Sequence, residues 1–208
     1  MTQEKKLHLL LGIFVTILVC ANLLGVKITT LFGVSVSIGI FMFPISFLIT
    51  DMVEEVFGKE KTKQFVSIGV VALIITFLLT WLGVTLEPNA RYAFNDEYKI
   101  IFTGSLRMIF ASLVAFVLAQ YHDIWAFSFW KKKTGGKYLW LRNNASTIVS
   151  QLIDSTIFMF LAFYQVAPKF DAMFIVSLII PYWLFKIAFA LLDTPLVYLG
   201  VNWLRKDK

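Results

Sequence analysis

Residues 65–86, FVSIGVVALIITFLLTWLGVTL, decide the class of fold because they form an apolar run without a single charged side chain. A helix of about 20 such residues spans the roughly 30 Å hydrocarbon core of a bilayer. The whole chain has the same character, since 59% of its residues are apolar and only 15% are charged, against about 25% charged residues in soluble domains. A chain this poor in polar residues cannot cover a water-facing surface. We therefore expect an integral membrane protein.

Five further apolar runs flank this stretch, and each is long enough to cross a bilayer. The predicted helices cover residues 7–26, 31–53, 65–86, 104–127, 145–167 and 172–201. The first run follows two lysines, as in a secretory signal, but no small-residue cleavage site closes it, so we interpret it as a retained helix. The sequence thus predicts an all-α membrane protein with six transmembrane helices, which form a single domain over residues 1–208.

The lysine and arginine residues fall mainly on one side of these predicted helices. Thirteen lie before the first helix, in the loops after the second and fourth helices, or after the sixth helix, whereas four lie on the opposite side. Because positively charged loops stay in the cytoplasm, we predict a multi-pass protein of the cytoplasmic (inner) membrane with both termini in the cytoplasm. This bias also accounts for the net charge of +6, so no nucleic-acid partner is expected.

The sequence holds little of the chemistry that enzymes or metal sites need. A single cysteine, Cys20, and two histidines exclude a disulfide framework and leave no Cys/His metal cluster. The chain has no Ser/His or Cys/His pair for nucleophilic catalysis and no Gly-rich phosphate loop for ATP. We therefore expect neither enzyme activity nor a metal or other cofactor.

Ionisable and amide side chains nevertheless interrupt the predicted helices. Each charge costs roughly 2.5–3.5 kcal/mol to insert, and such residues mark substrate or ion pathways by default. At the helical rise per residue, Asp154 and Lys186 lie about 13 Å and about 12 Å from the cytoplasmic end, and Gln120 and Asp51 lie about 10 Å and about 9 Å from it. We therefore predict one polar substrate-binding layer. Its candidate residues are Asp51, Glu54, Gln120, Asp123, Arg142, Asn143, Gln151, Asp154, Lys186 and Asp193, and candidate contacts on the outer side are Asn22, Lys27 and Arg107.

The motif Gln-x-x-Asp occurs twice in this layer, at Gln120–Asp123 and at Gln151–Asp154. One helical turn separates the two residues of each pair, so that an amide and a carboxylate face the same way. We expect Lys186 to pair with Asp154 or with a carboxylate of the second helix. The alternative interpretations are structural: an ion pair that only joins two helices, solvated helix ends at Glu54, Glu55 and Asp123, a snorkelling Arg107, and an interhelical hydrogen bond from Asn22.

Three segments of the chain carry a family resemblance. They are FPISFLITDMVEEVFG over residues 43–58, RMIFASLVAFVLAQYHD over residues 107–123, and LWLRNNASTIVSQLID over residues 139–154. Together they resemble the bacterial queuosine-precursor transporters over nearly the whole chain. The resemblance implies a fold similar to the substrate-binding components of energy-coupling-factor vitamin transporters. It also implies uptake of 7-cyano- and 7-aminomethyl-7-deazaguanine for queuosine salvage into tRNA, with this small molecule and the lipid bilayer as partners.

The alternative function is that of a substrate-binding subunit in an ATP-driven vitamin or nucleobase uptake complex. The resemblance implies that such components commonly dock their coupling ATPase subunit through an Ala-x-x-x-Ala pattern on the first helix, and residues 7–26 lack this pattern. A coupling subunit is therefore not favoured, and a free-standing transporter is the leading prediction. An ion channel fits less well, because the layer mixes both signs of charge with amides instead of presenting a ring of like charge.

The amide and carboxylate pairs also suit the edge of a guanine-like base. That edge has two adjacent N–H donors and one carbonyl acceptor, so a carboxylate accepts from the donors while an amide, lysine or arginine donates to the carbonyl. We predict that Asp154 or Asp123 binds the N–H donors and that the companion Gln151 or Gln120 binds the carbonyl. Adenine reverses this donor–acceptor pattern, so guanine is expected to compete better.

Overall fold

The computed structural model describes residues 1–31, 34–165, 168 and 170–206. Within these residues the chain forms six α-helices, an antiparallel hairpin and one 3-10 helix. In chain order the elements are α1 (Gln3–Leu24), β1 (Ile28–Leu31), β2 (Val34–Ser37), the 3-10 helix (Ile38–Phe41), α2 (Phe43–Phe57), α3 (Lys59–Thr85), α4 (Asn95–Lys133), α5 (Leu139–Phe163) and α6 (Ala172–Arg205). The predicted class, an all-α membrane protein, is confirmed.

Five of the six helices in the described part of the chain, all except α2, are long and apolar enough to cross a membrane. The protein is therefore a multi-pass membrane protein. Helices α4 and α6 hold 39 and 34 residues, and at about 58 Å and about 51 Å they extend well beyond the hydrocarbon core. Helices α1, α3, α4 and α5 begin several residues before their predicted bounds, because polar end turns outside the hydrocarbon still form helix. The last two residues of the fifth predicted helix, 166 and 167, lie outside the described residues.

The structure corrects the predicted helix over residues 31–53. Residues 28–31 and 34–37 instead form the paired strands β1 and β2, in which Thr29 pairs with Val36, and α2 begins only at Phe43 and continues to Phe57. The sequence VSVS over residues 34–37 alternates β-branched and polar residues, which suits a strand. Pro44 has no backbone N–H and therefore fits only the first turn of a helix, where the structure places it.

A sharp turn joins the short helix α2 to α3. With 15 residues, α2 spans about 22 Å, less than the roughly 30 Å of a bilayer core. Gly58 separates the two helices with a φ of 85°, a left-handed region that glycine adopts without strain. At the other end of α2 the hairpin folds back on α1, because Ser37 Oγ donates to the Gly25 carbonyl at 2.6 Å.

Four positively charged segments meet at one end of the bundle, which we term the basic end. Lys6 Nζ at the start of α1 donates to the Trp203 carbonyl near the end of α6 at 2.7 Å. Glu55 at the end of α2 contacts Lys131 at the end of α4 and Arg205 at the end of α6. The N-terminus, the α2–α3 turn, the α4–α5 turn and the end of α6 therefore share one end, as the charge distribution predicts. The hairpin lies at the opposite end, which we term the hairpin end.

Aromatic side chains pack α1, α3 and α4 together. The ring of Phe14 lies 6.0 Å from that of Phe65 and 6.1 Å from that of Phe116, and all three side chains are buried. Gly69 of α3 gives α1 room to approach, because a Cβ there would lie only 2.7 Å from Leu18 Cδ1. These contacts pack α1, α3 and α4 against one another.

Cysteine labelling tests the predicted orientation of the bundle. Lys132 at the basic end and Glu87 towards the hairpin end are both exposed, and each is replaced by cysteine in a Cys20→Ser background. We expect a membrane-impermeant maleimide to label Glu87→Cys on intact cells and Lys132→Cys only after permeabilisation, since positive loops stay inside. The reverse pattern would contradict cytoplasmic termini.

Candidate functional site

Side chains from α2, α5 and α6 surround a small buried pocket, which we term the polar pocket. Its volume is about 10 Å³, close to the room that one water molecule needs. Half of the predicted layer residues line it, namely Asp51, Asn143, Gln151, Lys186 and Asp193. The remaining lining residues are Pro44, Phe47, Leu48, Thr147, Ala190 and Val197. Helix α2 and the consecutive helices α5 and α6 thus supply polar groups to one place.

Lys186 of α6 forms a buried ion pair with α5. Its Nζ donates to Asp154 Oδ2 at 2.5 Å, and the two side chains are 2% and 6% exposed. The rings of Phe43 and Tyr182 lie 5.2 Å and 5.3 Å from Nζ, where an aromatic face attracts a cation. The predicted pairing of Lys186 with Asp154 is confirmed.

Two amide groups of the polar pocket retain free hydrogen-bonding capacity. Gln151 and Asn143 are 1% and 3% exposed, and neither Gln151 Oε1 nor Asn143 Oδ1 has a partner among the described residues. Gln120 of α4 is also buried, with both amide atoms unpaired within the described ranges, but it does not line the pocket. Because buried polar atoms normally have partners, the oxygens of Gln151 and Asn143 are suited to bind a ligand.

Three buried carboxyl groups, Asp51, Glu54 and Asp123, extend from the polar pocket towards the basic end, and we term them the carboxyl triad. Asp51 accepts a hydrogen bond of 3.5 Å from Thr147 Oγ1 and interacts with the carboxyl group of Asp123. Glu54, one turn further along α2, accepts a hydrogen bond of 2.5 Å from Ser128 Oγ. Among the described residues, no basic group lies within salt-bridge distance of the triad. The described part of the chain contains no group of three or more His, Cys, Asp or Glu residues that could hold a metal ion.

Glu55 joins the helices at the basic end. Its carboxylate contacts Lys131 at 3.0 Å, Arg142 at 2.6 Å and Arg205 at 2.8 Å, and we term these four residues the Glu55 cluster. Arg142, a predicted substrate contact, is 1% exposed and also donates to two carbonyls of the α4–α5 turn at 3.0 Å. Arg142 does not line the polar pocket. Its contacts are with Glu55 and the α4–α5 turn, which indicates a structural role.

The predicted outer-side contacts, Asn22, Lys27 and Arg107, line neither the polar pocket nor the large cavity near the hairpin end in the described part of the chain. Asn22 Nδ2 donates to the carbonyl one turn earlier in α1 at 2.9 Å, and Lys27 is exposed. Arg107 donates to the carbonyls of Leu161 and Tyr164 at 2.9 Å each. Arg107 thus satisfies the carbonyls that the end of α5 leaves without helical partners, which is a structural role.

A larger cavity of about 570 Å³ lies nearer the hairpin end, and its volume is typical of small-molecule sites. We term it the aromatic cavity; its lining residues are Ile28, Ser37, Phe158, Met159, Phe163, Phe170, Phe174, Leu178, Pro181 and Tyr182. Tyr182 lines this cavity and also places its ring against Lys186, which lines the polar pocket. One turn of α6 therefore separates the two spaces.

Phe43 and Tyr182 contact Lys186 but are not among the residues predicted from sequence, whereas Glu55 is considered there only as a solvated helix end. Tyr182 left a signal in the sequence, because it precedes Lys186 by one helical turn. Phe43 left none, since its contact with Lys186 joins α2 to α6. Spacing along one helix indicates a shared face, but it does not indicate which other helix meets that face.

Loss of the Glu55 charge should destabilise the bundle far more than loss of an exposed carboxylate. We expect Glu55→Gln to lower the free energy of unfolding by about 3–5 kcal/mol, because Arg142 stays buried without its counter-ion. Glu60→Gln is the matched control, since the pair of Glu60 with Lys63 is exposed and is worth about 0–1 kcal/mol. Thermal unfolding in detergent compares the variants, and equal melting temperatures would contradict a structural cluster.

The Lys186–Asp154 pair is tested by a double-mutant cycle. We expect Lys186→Met to reduce folded yield and melting temperature more than Lys186→Met combined with Asp154→Asn, because the single variant leaves a buried carboxylate unpaired. Detergent-solubilised yield and thermal unfolding are the measurements. Additive effects of the two substitutions would show that the residues act independently.

One family and three named proteins are similar to this chain over much of its length. The family described as "Putative vitamin uptake transporter" matches residues 37–200. A "Probable queuosine precursor transporter" of Bacillus subtilis is 33% identical over 204 residues, which cover 95% of this chain and 87% of that protein. The "Queuosine precursor transporter" of Escherichia coli is 26% identical over 176 residues, or 82% and 75% of the two chains. A "Probable queuosine precursor transporter" of Haemophilus influenzae is 25% identical over 135 residues, or 64% and 54%.

No solved structure matches this chain. The family match begins at the end of the hairpin and extends into α6, so it includes every residue that lines the polar pocket. The chain therefore belongs to the family described as "Putative vitamin uptake transporter".

Proposed function

We propose that this protein takes up queuosine precursors, 7-cyano- and 7-aminomethyl-7-deazaguanine, across the cytoplasmic membrane for queuosine salvage into tRNA. The names of the related proteins from Bacillus subtilis and Escherichia coli support this substrate class. The observation that carries the proposal is the polar pocket. Two carboxyl groups, two unpaired amide oxygens and an ammonium group line it inside an apolar bundle, which is the environment that a small polar heterocycle requires.

The pocket matches the hydrogen bonds of a guanine-like edge. Asp51 is the acceptor for the two adjacent N–H donors, and Lys186 or the Gln151 amide donates to the base carbonyl. This assignment replaces Asp154 and Asp123 in the sequence hypothesis, because Asp154 is paired with Lys186 and neither aspartate lines the pocket. Asp193, which does line it, balances the charge of the aminomethyl form.

The two spaces suggest a path for the substrate. The aromatic cavity has room for a bicyclic base, whereas the polar pocket of about 10 Å³ admits one only after the surrounding helices move apart. Pro181 and Pro195 lie inside α6 and flank the segment that carries Lys186 and Asp193. Proline removes a helical hydrogen bond and permits a kink, so this segment is the element that moves. With both termini cytoplasmic, the hairpin end and the aromatic cavity face outwards.

Uptake of a labelled 7-deazaguanine base tests the function. In cells that cannot make such bases, we expect uptake only when this protein is expressed, with guanine competing better than adenine. Loss of a hydrogen bond to a charged group lowers affinity about 10- to 100-fold, and loss of a neutral one about 2- to 10-fold. We therefore expect Asp51→Asn to lower uptake more than Gln151→Ala does.

Matched controls for this assay are Asp96→Asn and Gln64→Ala, since both side chains are exposed. If Asp51→Asn and Gln151→Ala both keep the uptake and the base preference of the wild type, the binding site lies elsewhere. Uptake by the purified protein alone in vesicles would support a free-standing transporter. Absence of uptake without a coupling ATPase would support the alternative, a subunit of an ATP-driven complex.

A further inference from the structure

Base recognition does not account for the whole carboxyl triad. Asp51 lines the polar pocket, but Glu54 and Asp123 lie behind it and are 3% and 1% exposed. An ionised carboxylate in an apolar interior is strongly unfavourable unless a cation or several hydrogen bonds stabilise it. Glu54 accepts from Ser128, and Asp123 lies beside the hydroxyl groups of Ser146, Thr147 and Ser150, but Asp123 Oδ1 has no partner among the described residues. Because neither carboxyl group has a salt-bridge cation in this part of the chain, their positions need a different explanation from substrate contact.

The basic groups around the triad have other partners. Lys186 is paired with Asp154, and the cations of the Glu55 cluster are paired with Glu55. The other ionisable groups that face the triad are His122 of α4, whose Nδ1 lies 2.9 Å from Ser150 Oγ, Asp193 of α6 in the pocket wall, and Lys59 at the start of α3. Among the described residues, none of these forms a salt bridge with the triad.

We propose that the carboxyl triad carries a proton that moves together with the base, so that the protein is a proton-coupled symporter; this inference rests on the proposed function. Two carboxyl groups in contact cannot both be ionised without a large penalty, so Asp51 and Asp123 share a proton. Buried Asp and Glu residues in series serve as proton relays in transporters. The second feature that points to a ligand here is the unpaired, buried Gln151 Oε1 in the pocket that Asp51 lines.

The same geometry couples the proton to the base. Asp51 accepts two N–H donors only when it is ionised, so the arriving base displaces its proton. The O–H bond at Asp51 breaks and one forms at Asp123. The proton then passes to Glu54, which lies one turn nearer the basic end and accepts from Ser128. Asp51 takes this proton from the outside before the base binds, and Glu54 releases it to water at the basic end. In each cycle one base and one proton therefore enter together, and a neutral base carries one positive charge inwards.

Purified protein in vesicles tests this coupling with labelled 7-cyano-7-deazaguanine. With the outside one pH unit more acidic, we expect about tenfold accumulation at one proton per base, and we expect a protonophore to abolish it. Glu54→Gln and Asp123→Asn should lose this accumulation but still exchange labelled for unlabelled base, because exchange needs no net proton movement. Glu60→Gln and Asp96→Asn, which alter exposed carboxylates, should accumulate base like the wild type.

A second measurement keeps the test independent of the variants' folding. Addition of base to wild-type vesicles that contain a pH-sensitive dye should acidify the interior. Base entry without acidification, or accumulation that persists in both folded triad variants, overturns the coupling and leaves the uptake function standing. If the wild type moves no base under any gradient, the uptake function and the coupling are both overturned.

Discussion

Ionised side chains inside an apolar bundle have to be paired, and the pairs in this chain fix which helices are neighbours. Glu55 at the end of α2 binds cations from α4, α5 and α6, and Lys186 of α6 binds Asp154 of α5. A buried charge that loses its partner is strongly destabilising, so other arrangements of these four helices would be penalised. The polar pocket lies between α2, α5 and α6 because these contacts bring the three helices together.

The same pairing separates structural groups from groups that remain available for function. Arg142 resembles a substrate contact in sequence, but its two terminal nitrogens donate to Glu55 and to the α4–α5 turn, and only its Nε has no partner among the described residues. Within the described residues, Gln151 Oε1 and Asn143 Oδ1 keep unused acceptor capacity, and the carboxyl triad has no salt bridge. These groups lie in or beside one pocket. We therefore propose that function concentrates at this pocket, where pairing is incomplete.

The helical class, the sharing of one end by four basic segments, and the Lys186–Asp154 pair were all predictable from sequence. The apolar run over residues 65–86 requires a bilayer-spanning helix. The charge bias places both termini at the same end, where Lys6 meets Trp203. Lys186 and Asp154 lie at similar predicted depths, and a buried lysine needs a counter-ion. These conclusions depend on the length, the charge and the estimated depth of each predicted helix, which can be read along the chain without knowing how the helices pack.

Tertiary structure alone decided which side chains face which. Residues 31–53 are apolar enough for a membrane helix, but the hairpin packs against the end of α1 and α2 begins only at Phe43. Helical spacing places Asp51 and Glu55 on one face, yet Asp51 lines the pocket and Glu55 holds the basic end. Sequence favoured Asp154 or Asp123 for the base, whereas packing pairs Asp154 with Lys186 and places Asp123 outside the polar pocket. Periodicity fixes the direction of a side chain on its own helix, but only the packing of helices that are distant in sequence determines its partner.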